Sequence, residues 1–380
     1  MTRDLIVVGA SARAAAFSAL RAGFRPYAID QYADRDLAAV CPAVRIRQYP
    51  DDLERALDDA PAAPWIYTGG LENHPRLVDR LAVIRPLWGN PGRVLRRVRN
   101  PFLLSGVLQQ AGFQFPPVAR ELSEHTANRS GPKTLRKPIR SGGGLRITSV
   151  DKPQPAVPGF YYQRYVPGCP WSAVFVAHAR QCHLLGMSRQ IKSESDGFAY
   201  QGSIVATTPD CPEMETCVRL GPLVAAEFEL QGLFNIDLIR NSDGWWPLEV
   251  NPRYSASIEV LERAAGIQSV GVHAAAFDTT SGEFHPPVFR PLKSVGKAIV
   301  YADDDGTVPP EFDRLVSQWN FDPYWPVIAD LPRIGESVRK GQPICTVFAE
   351  ARRCEDVEAE LRQRSGQVRQ LFASAGSPAC

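Results

Sequence analysis

Short apolar runs separated by glycine, proline and polar turns recur along the chain, and they predict alternating strands and helices. Near the N-terminus, Leu5–Val8 reads as a fully apolar strand, followed by an alanine-rich helix to about Ala22 and a second strand over Pro26–Asp30. Apolar runs of this length, bounded by glycine, indicate strands buried on both faces. Further strands at Val44–Tyr49 and Trp65–Tyr67 continue the alternation, which predicts a βαβ-type opening of the chain.

A hairpin is predicted in the stretch Gly232–Tyr254, because Asp-Gly between apolar runs favours a tight turn, here at 241–244. Apolar and polar residues alternate in both strands, so the polar side chains of each strand share one face. Pairing about this turn sets Asp237 opposite Glu249. The amide of Asn251 then lies on the same polar face.

Two facing carboxylates repel each other, and a hard divalent cation with oxygen ligands would relieve the repulsion. Magnesium carrying a nucleotide phosphate is the leading candidate for this position. Asn251 can add a neutral oxygen, and Arg253 can reach an anionic intermediate with two parallel hydrogen bonds. The alternative is a solvated polar face on an amphipathic hairpin.

A glycine-rich loop forms the second candidate site. A strand delivers Lys137, and Ser141, Gly142, Gly143 and Gly144 then follow in a loop with few Cβ atoms. Consecutive backbone N–H groups exposed in this way can cradle phosphate oxygens. A flexible turn would need the same glycines, but the lysine upstream and the acidic hairpin downstream favour phosphate binding.

These motifs resemble those of the ATP-grasp superfamily, and among its members the carboxylate–amine ligases. The pattern D-x(11)-E-V-N-P-R from Asp237 to Arg253 resembles the metal-binding hairpin of that superfamily. The triglycine loop resembles its lid, and Lys137 is placed like its second phosphate-binding lysine. The chain departs from the superfamily pattern at one position. Where the superfamily has Asp-Lys, this chain has Arg99-Asn100-Pro101. Arg97 or Arg99 would have to replace the missing lysine as a phosphate-binding cation.

The segment YYQRYVPG at 161–168 resembles the adenine-binding linker of the superfamily. In that arrangement Val166 offers backbone groups to the adenine edge, and Gln163 stands where an acid often accepts from the exocyclic amine. Arg164 lies between them and is included among the predicted nucleotide-binding residues.

The resemblance implies an α/β fold with three parts. Residues 1–92 would form a Rossmann-like pre-ATP-grasp domain, and residues 93–285 an ATP-grasp (α+β) domain with a flexible lid at about 133–165. Residues 286–380 would form a small β-rich C-terminal unit.

The implied reaction joins a small-molecule carboxylate to an amine, with ATP converted to ADP and phosphate. Asp237, Glu249 and Asn251 would hold Mg²⁺, with Mn²⁺ as an alternative, and Lys137 would bind phosphate. Arg253 would stabilise an acyl-phosphate intermediate. A homodimer is also implied by the resemblance.

The loop after the strand Trp65–Tyr67 is a candidate substrate site, because α/β sheets place ligands at the carboxyl ends of their strands. Gly69 and Gly70 let backbone amides approach an anion, and Glu72, Asn73 and His74 could orient an amine or a hydroxyl. A plain Gly-Gly turn with a helix starting at Glu72 is an equal alternative.

Composition excludes several classes of function. The formal charge is +2, with 43 Lys and Arg against 41 Asp and Glu, and there is no basic run interleaved with aromatics, so we expect no nucleic-acid partner. No apolar stretch approaches the twenty or so residues that a membrane span requires. The 8 cysteines form no C-x-x-C pair, which favours reduced thiols and a cytoplasmic protein.

Three other functions stay open. A non-catalytic module that only binds ATP would explain the missing lysine, and a carboxylase that uses bicarbonate is a nearer relative of the ligases. A nicotinamide-dependent oxidoreductase rests only on Gly9 and the βαβ opening. Ser11 and Ala14 stand where the dinucleotide fingerprint requires glycine.

Overall fold

The computed structural model describes residues 3–123, 133–192, 197–207, 214–278 and 284–375. The N-terminal strands are β1 Arg3–Gly9, β2 Phe24–Asp30, β3 Ala43–Arg45 and β4 Trp65–Tyr67. The helices are α1 Arg13–Arg21, α2 Arg35–Val40, α3 Leu53–Asp58 and α4 Pro75–Ile84, with a 3₁₀ turn over Leu71–Asn73. The strands form one parallel sheet in the order β3-β2-β1-β4. Strand β1 is apolar and buried because helices cover both faces of such a sheet.

A small antiparallel sheet follows, and three of its four strands lie in the predicted lid region. Two helices precede it, α5 Gly92–Val98 and α6 Pro101–Gln110. Its strands are β5 Val118–Ala119, β6 Thr134–Pro138, β7 Thr148–Val150 and β8 Phe160–Arg164, in the order β5-β8-β6-β7. Asn100 caps α6, because its side-chain Oδ1 accepts from the N–H of Phe102 at 3.0 Å. Proline at the first position of that helix, Pro101, has no N–H to leave unpaired.

The next part of the chain supplies the central sheet and its helices. Its strands are β9 Cys169–His178, β10 Gln181–Gln190, β11 Gly202–Val205, β12 Gly232–Asn241 and β13 Gly244–Asn251. Its helices are α7 Met214–Phe228, α8 Ala256–Ala265 and α9 Ser269–Ala275. The chain then continues through β14 Ser294–Tyr301, β15 Gly306–Thr307, α10 Glu311–Trp319, β16 Ile328–Ala329, β17 Ser337–Val338, β18 Pro343–Ala351 and α11 Cys354–Ala375.

The C-terminal strands extend the central sheet. Eight strands pair in the order β13-β12-β9-β10-β11-β14-β18-β16, and β15 pairs with β17 in a separate two-stranded sheet. Thus β14, β16 and β18 belong to the same sheet as the hairpin β12–β13. The mixed α/β class predicted from the sequence is confirmed, whereas the domain boundaries at 92 and 285 stay a prediction.

The central sheet is buried on both faces. Phe234, Ile236 and Leu238 of β12 join an apolar cluster with α7, while Leu233 joins a second cluster with α1 and α8. Side chains alternate along a strand, so Asp237 lies on the α8 face. The polar residues of the hairpin are therefore directed towards the N-terminal part of the chain.

Buried ion pairs fix the N-terminal sheet against α8. The Arg13 guanidinium, 1 % exposed, pairs with Glu259 of α8, and its Nε donates to Asp330 Oδ1 at 2.9 Å. About two turns further along α1 and one turn further along α8, Arg21 Nη2 lies 2.5 Å from Glu262 Oε2. This docking brings the loop after β4 close to the end of β13.

Candidate functional site

The hairpin pairs in the predicted register. Strand β12 ends at Asn241 and β13 begins at Gly244, and Asp237 is the direct partner of Glu249. The next residue, Leu238, pairs with Pro247, so Leu248 is the extra residue of a β-bulge. The facing carboxylates predicted from the position of the turn are confirmed.

A polar network holds the Asp237 carboxylate in place. Its Oδ1 accepts from Gln190 Nε2 at 3.1 Å and from Asn235 Nδ2 at 2.9 Å, and its Oδ2 accepts from Asn251 Nδ2 at 2.9 Å. Gln190 lies at the end of β10 and was not among the predicted site residues. It reaches Asp237 because β10 and β12 flank β9, a long-range arrangement without a local sequence signal.

The two carboxylates titrate in opposite directions. Burial, followed by the negative charge of Glu249, raises the pKa of Asp237. Burial would also raise the pKa of Glu249, but the positive charges of Arg99, Lys137 and Arg253 outweigh it and lower that pKa below its ordinary value. A divalent cation bound between them would favour the ionised form of both carboxylates.

Arg99 lies at the hairpin, and Arg97 does not. Arg99 Nη1 is 3.5 Å from Glu249 Oε2 and 3.3 Å from Asn251 Oδ1, and its Nη2 donates to the Ser141 carbonyl at 2.5 Å. The Arg97 guanidinium instead donates to Glu229 Oε1 at 3.2 Å. Of the two arginines that could replace the missing lysine, Arg99 alone contacts the predicted metal-binding residues.

Lys137 is buried next to this site. Its Nζ donates to Gln163 Oε1 at 3.0 Å, and Gln163 Nε2 is buried without a hydrogen-bond partner in the described part of the chain. Arg164 is exposed on the opposite face of β8, so it lies apart from this pair. Val166 is buried in the segment that connects β8 to β9.

The glycine loop spans the space between the hairpin and the N-terminal part of the chain. Gly143 and Gly144 have φ of +63° and +75°, which favours glycine. The Gly143 carbonyl accepts from the N–H of Tyr200 at 3.0 Å, and a Cβ on Gly144 would lie 1.7 Å from the carbonyl oxygen of Phe198. A Cβ on Gly142 would lie 3.8 Å from Glu72 Oε1. The loop is therefore packed closely enough to require glycine at 144.

Glu72 and Arg253 connect the N-terminal loop to the hairpin. Glu72 Oε1 accepts from Arg253 Nε at 2.8 Å and from Nη2 at 2.6 Å, and Glu72 is only 2 % exposed. Burial would raise the pKa of Glu72, but the charge and hydrogen bonds of Arg253 outweigh it and lower the pKa. A Cβ on Gly69 would lie 3.6 Å from Arg253 Cζ, an ordinary van der Waals contact, so this approach does not require glycine at 69.

The remaining loop residues lie around Tyr49. Gly70 has φ of +106°, and a Cβ on it would lie 2.6 Å from the Tyr49 hydroxyl. The His74 ring meets the Tyr49 ring edge-on at 6.4 Å, and burial with the nearby charge of Arg140 lowers the pKa of His74. Asn73 is half-buried in the same 3₁₀ turn. The structure thus brings Glu72 to the hairpin, whereas His74 packs beside Tyr49.

The loop after β1, which supported the nicotinamide alternative, is filled by protein groups. The Asp30 carboxylate accepts from the N–H groups of Ala12 at 2.5 Å and Ala33 at 2.7 Å. A Cβ on Gly9 would lie 1.9 Å from Thr68 Oγ1. A carboxylate at the start of α1 repels a pyrophosphate, and this weighs against dinucleotide binding there.

The donor set fits a hard cation that also binds phosphate. Within the described ranges there is no group of three or more His, Cys, Asp or Glu that could hold a metal ion. Asp237, Glu249 and Asn251 offer oxygen atoms, so a Mg²⁺ ion here would take its other ligands from phosphate and water.

No helix in the described part of the chain is both long and apolar enough to span a membrane.

Comparison with known protein families identifies the middle of the chain. Residues 98–257 match the family model described as ATP-grasp domain. This range includes Arg99, Lys137, the glycine loop and the whole hairpin. The ATP-grasp resemblance seen in the sequence is therefore confirmed.

Individual relatives agree with this assignment at the level of fold. The chain is 22% identical over 370 residues to the uncharacterized protein MJ0776 of Methanocaldococcus jannaschii, across 90% of this chain and 87% of that protein. The crystal structure of an L-amino acid ligase from Bacillus licheniformis superposes with a TM-score of 0.72 at 14% identity, covering 95% of this chain and 96% of the ligase.

Two further solved structures have the same fold. N5-carboxyaminoimidazole synthetase from Staphylococcus aureus matches with a TM-score of 0.69 at 13% identity, covering 96% of this chain and 98% of that chain. The biotin carboxylase domain of the Hydrogenobacter thermophilus 2-oxoglutarate carboxylase, in complex with MgADP, ADP and bicarbonate, has a TM-score of 0.71 at 16% identity. That match covers 96% of this chain and 89% of the domain.

Proposed function

We propose that this chain, which contains an ATP-grasp domain, is an ATP-dependent ligase that joins a small-molecule carboxylate to an amine. The observation that carries the proposal is the pairing of Asp237 with Glu249 beside Arg99, Lys137 and the glycine loop. Facing carboxylates next to two cations and a glycine-rich loop suit a metal bound to a triphosphate.

Asp237, Glu249 and Asn251 are the residues that would hold Mg²⁺, or Mn²⁺ in its place. When bound, the ion neutralises charge that develops on the phosphate oxygens. Arg99 and Lys137 would contact the phosphates as fixed cations. Gln163 Oε1 already accepts from Lys137 Nζ, so Gln163 would not accept from the exocyclic amine of adenine as the resemblance implies. Its unpartnered Nε2 would instead donate to a ring nitrogen of the adenine, and the backbone around Val166 would contact the adenine edge.

Phosphoryl transfer requires positioning and charge stabilisation more than a protein nucleophile. In the proposed reaction, an oxygen of the substrate carboxylate attacks the γ-phosphorus, and ADP leaves. The resulting acyl phosphate lies near Arg253, whose fork of N–H donors matches a phosphate or carboxylate. An amine then displaces phosphate and forms the amide. The loop with Gly69, Gly70 and Glu72 is the proposed substrate side of the site.

The relatives supply two candidate substrate classes. The L-amino acid ligase of Bacillus licheniformis supports amide formation. A carboxylase is the second candidate, because the Hydrogenobacter thermophilus domain binds MgADP and bicarbonate on the same fold. Bicarbonate is itself a small carboxylate, so both candidates share the first step, phosphorylation of a carboxylate oxygen.

The test measures ADP release with Mg²⁺-ATP and a panel of carboxylates that includes bicarbonate, each with and without a panel of amines. Hydroxylamine is added in parallel, because it displaces phosphate from an acyl phosphate and forms a hydroxamate, which is measured by the colour of its complex with Fe³⁺ added afterwards. We expect ADP release that depends on a carboxylate and is lost in Glu249→Gln. ATP binding without ADP release under any condition would favour a non-catalytic ATP-binding module. Release that persists in Glu249→Gln would contradict the proposed site.

The proposal extends to a cytoplasmic homodimer. None of the six cysteines in the described part of the chain forms a disulfide, which agrees with a reducing compartment. Sedimentation equilibrium of the full chain would distinguish a dimer from a monomer.

A further inference from the structure

One oxygen of the Glu72 carboxylate has no role in the structure. Both hydrogen bonds from Arg253 end on Oε1, while Oε2 is buried and has no hydrogen-bond partner among the described residues. A buried polar atom left without a partner costs about 1–3 kcal/mol, and more for a charged group. Glu72 Oε2 is the one carboxylate oxygen among the thirteen such atoms of the described residues, and it can accept a hydrogen bond from a ligand.

The groups around Glu72 belong to all three parts of the proposed site. Arg253 comes from the end of the hairpin. Gly142 of the glycine loop lies nearby, because a Cβ built on it would be 3.8 Å from Glu72 Oε1. Glu72 itself comes from the loop after β4.

Two tyrosine hydroxyls of the described chain lie near Glu72. The Tyr67 hydroxyl is already engaged, because it donates to the Asn90 carbonyl at 2.7 Å. The Tyr49 hydroxyl is buried without a hydrogen-bond partner among the described residues and is not hydrogen-bonded to Oε2. No described side chain donates to Oε2, which leaves this oxygen able to accept a hydrogen bond from a substrate.

The charge balance indicates which substrate. In the structure Arg253 neutralises Glu72, and the same arginine is the proposed partner of the acyl phosphate. A phosphate-bearing intermediate carries two negative charges and competes for the Arg253 guanidinium. When Arg253 turns to that intermediate, Glu72 is left as a buried carboxylate without a counter-ion, and a cation then becomes its favoured partner.

We infer, on the basis of the proposed ligase activity, that Glu72 binds the ammonium group of the amine substrate and accepts the proton that the amine loses before it attacks. The substrate nucleophile is accordingly a primary or secondary amine that arrives protonated. Glu72 is then a catalytic residue of the second half-reaction, and the first half-reaction does not require it as a base.

The ammonium gives one proton to Glu72 Oε2, and the nitrogen lone pair forms the C–N bond at the acyl carbon. The C–O bond to the phosphoryl group breaks, and its electron pair leaves with phosphate. The second proton on nitrogen passes to the departing phosphate, so the products are the amide, hydrogen phosphate and protonated Glu72. Glu72 returns its proton to solvent when the products leave.

The experiment separates the two half-reactions in Glu72→Gln, using a carboxylate and an amine found with the unsubstituted enzyme. Hydroxylamine is small and largely unprotonated near neutral pH, so its trapping of the acyl phosphate needs no protein base. We expect hydroxamate formation close to that of the unsubstituted enzyme, while amide formation falls about 10²-fold or more, the usual contribution of a general base. Glu54→Gln is the matched control, because Glu54 is a surface residue of the same domain that pairs with Arg80.

A second variant covers the case in which Glu72→Gln does not fold. Glu72→Asp keeps the negative charge opposite Arg253 but withdraws the carboxylate by about 1.5 Å, one carbon–carbon bond. We expect thermal unfolding near that of the unsubstituted protein, with hydroxamate retained and amide formation reduced. Equal loss of hydroxamate and amide in both variants would overturn the inference, because Glu72 would then act only by positioning Arg253. Unchanged amide formation would overturn it too.

Failure of the proposed function gives a different result. In that case the unsubstituted enzyme forms no hydroxamate with any carboxylate, and both the ligase proposal and the role of Glu72 are rejected together. Hydroxamate formed by the unsubstituted enzyme with no effect of Glu72→Gln on the amide rejects the role of Glu72 alone.

Discussion

Replacing Arg99 by alanine tests whether this arginine substitutes for the lysine that the ATP-grasp pattern leads one to expect. Arg99 Nη1 contacts the Glu249 carboxylate at 3.5 Å, the Asn251 amide oxygen at 3.3 Å and the Val250 carbonyl at 3.3 Å. Its Nη2 holds the Ser141 carbonyl of the glycine loop at 2.5 Å. The alanine variant therefore loses a cation that faces the proposed phosphate site and a contact that holds the loop.

The expected magnitude follows from the kind of bond lost. A hydrogen bond to a charged group contributes about 1.5–3 kcal/mol, and each 1.4 kcal/mol or so is a factor of ten in affinity. We expect the Kd for ATP to rise about ten- to hundredfold in Arg99→Ala. Arg99→Lys keeps a point charge without the planar fork, so it should recover part of the loss.

The assay is calorimetric titration of ATP into each variant, once in EDTA and once with Mg²⁺. Both conditions are needed because Arg99 also neutralises Glu249, so its removal favours Mg²⁺ binding while it weakens direct phosphate binding. The weakening should therefore be greater in EDTA. Arg97→Ala is the matched control, because Arg97 contacts Glu229 and the Glu227 carbonyl instead of the hairpin. Equal ATP affinity of Arg99→Ala and the unsubstituted protein in EDTA would refute the reasoning.

Two further predictions concern the loop and the response to pH. Gly144→Ala places a Cβ 1.7 Å from the Phe198 carbonyl oxygen at φ of +75°, so we expect a lower Tm and slower ADP release. Gly159→Ala is the control, because Gly159 has a similar φ of +80° but open space around it. This control should lower the free energy of unfolding by only about 1–2 kcal/mol, the cost of backbone strain. Burial lowers the pKa of His273 from 6.5 to about 4, so the folded state binds fewer protons than the unfolded state. The free energy of unfolding should fall by up to about 3 kcal/mol between pH 6.5 and 4, and urea titrations of His273→Gln should show a shallower fall. An equally steep fall in that variant would assign the pH dependence to other groups.

Local sequence pattern was enough to predict the hairpin and its facing carboxylates. The turn at 241–244 fixes the register, and strand alternation then sets Asp237 opposite Glu249. Only the bulge at Leu248 was not visible, because an extra residue in one strand leaves the apolar pattern on either side nearly unchanged. The strand that delivers Lys137 was predictable for the same local reason.

Contacts between distant segments could not be predicted. Glu72 meets Arg253 across 181 residues, and Gln190 meets Asp237 through the order of strands in the sheet. No local sequence pattern predicts which distant segments pack together. That depends on tertiary contacts such as the buried ion pair between Arg13 and Glu259. The sequence also left Arg97 and Arg99 as equal alternatives. They point in different directions because residues two apart on a helix lie about 200° apart around its axis, and because α5 ends at Val98, which places Arg99 in the turn before α6.

The most direct test of the central claim is the dependence of ATP affinity on Mg²⁺ in the double variant Asp237→Asn/Glu249→Gln. Calorimetric titration of the unsubstituted protein should give tighter ATP binding with Mg²⁺ than in EDTA. In the double variant we expect ATP to bind equally with Mg²⁺ and in EDTA, because Arg99 and Lys137 remain while the metal-binding oxygens have been replaced. A gain in ATP affinity from Mg²⁺ that is as large in the double variant as in the unsubstituted protein would contradict the claim that these two carboxylates hold the metal.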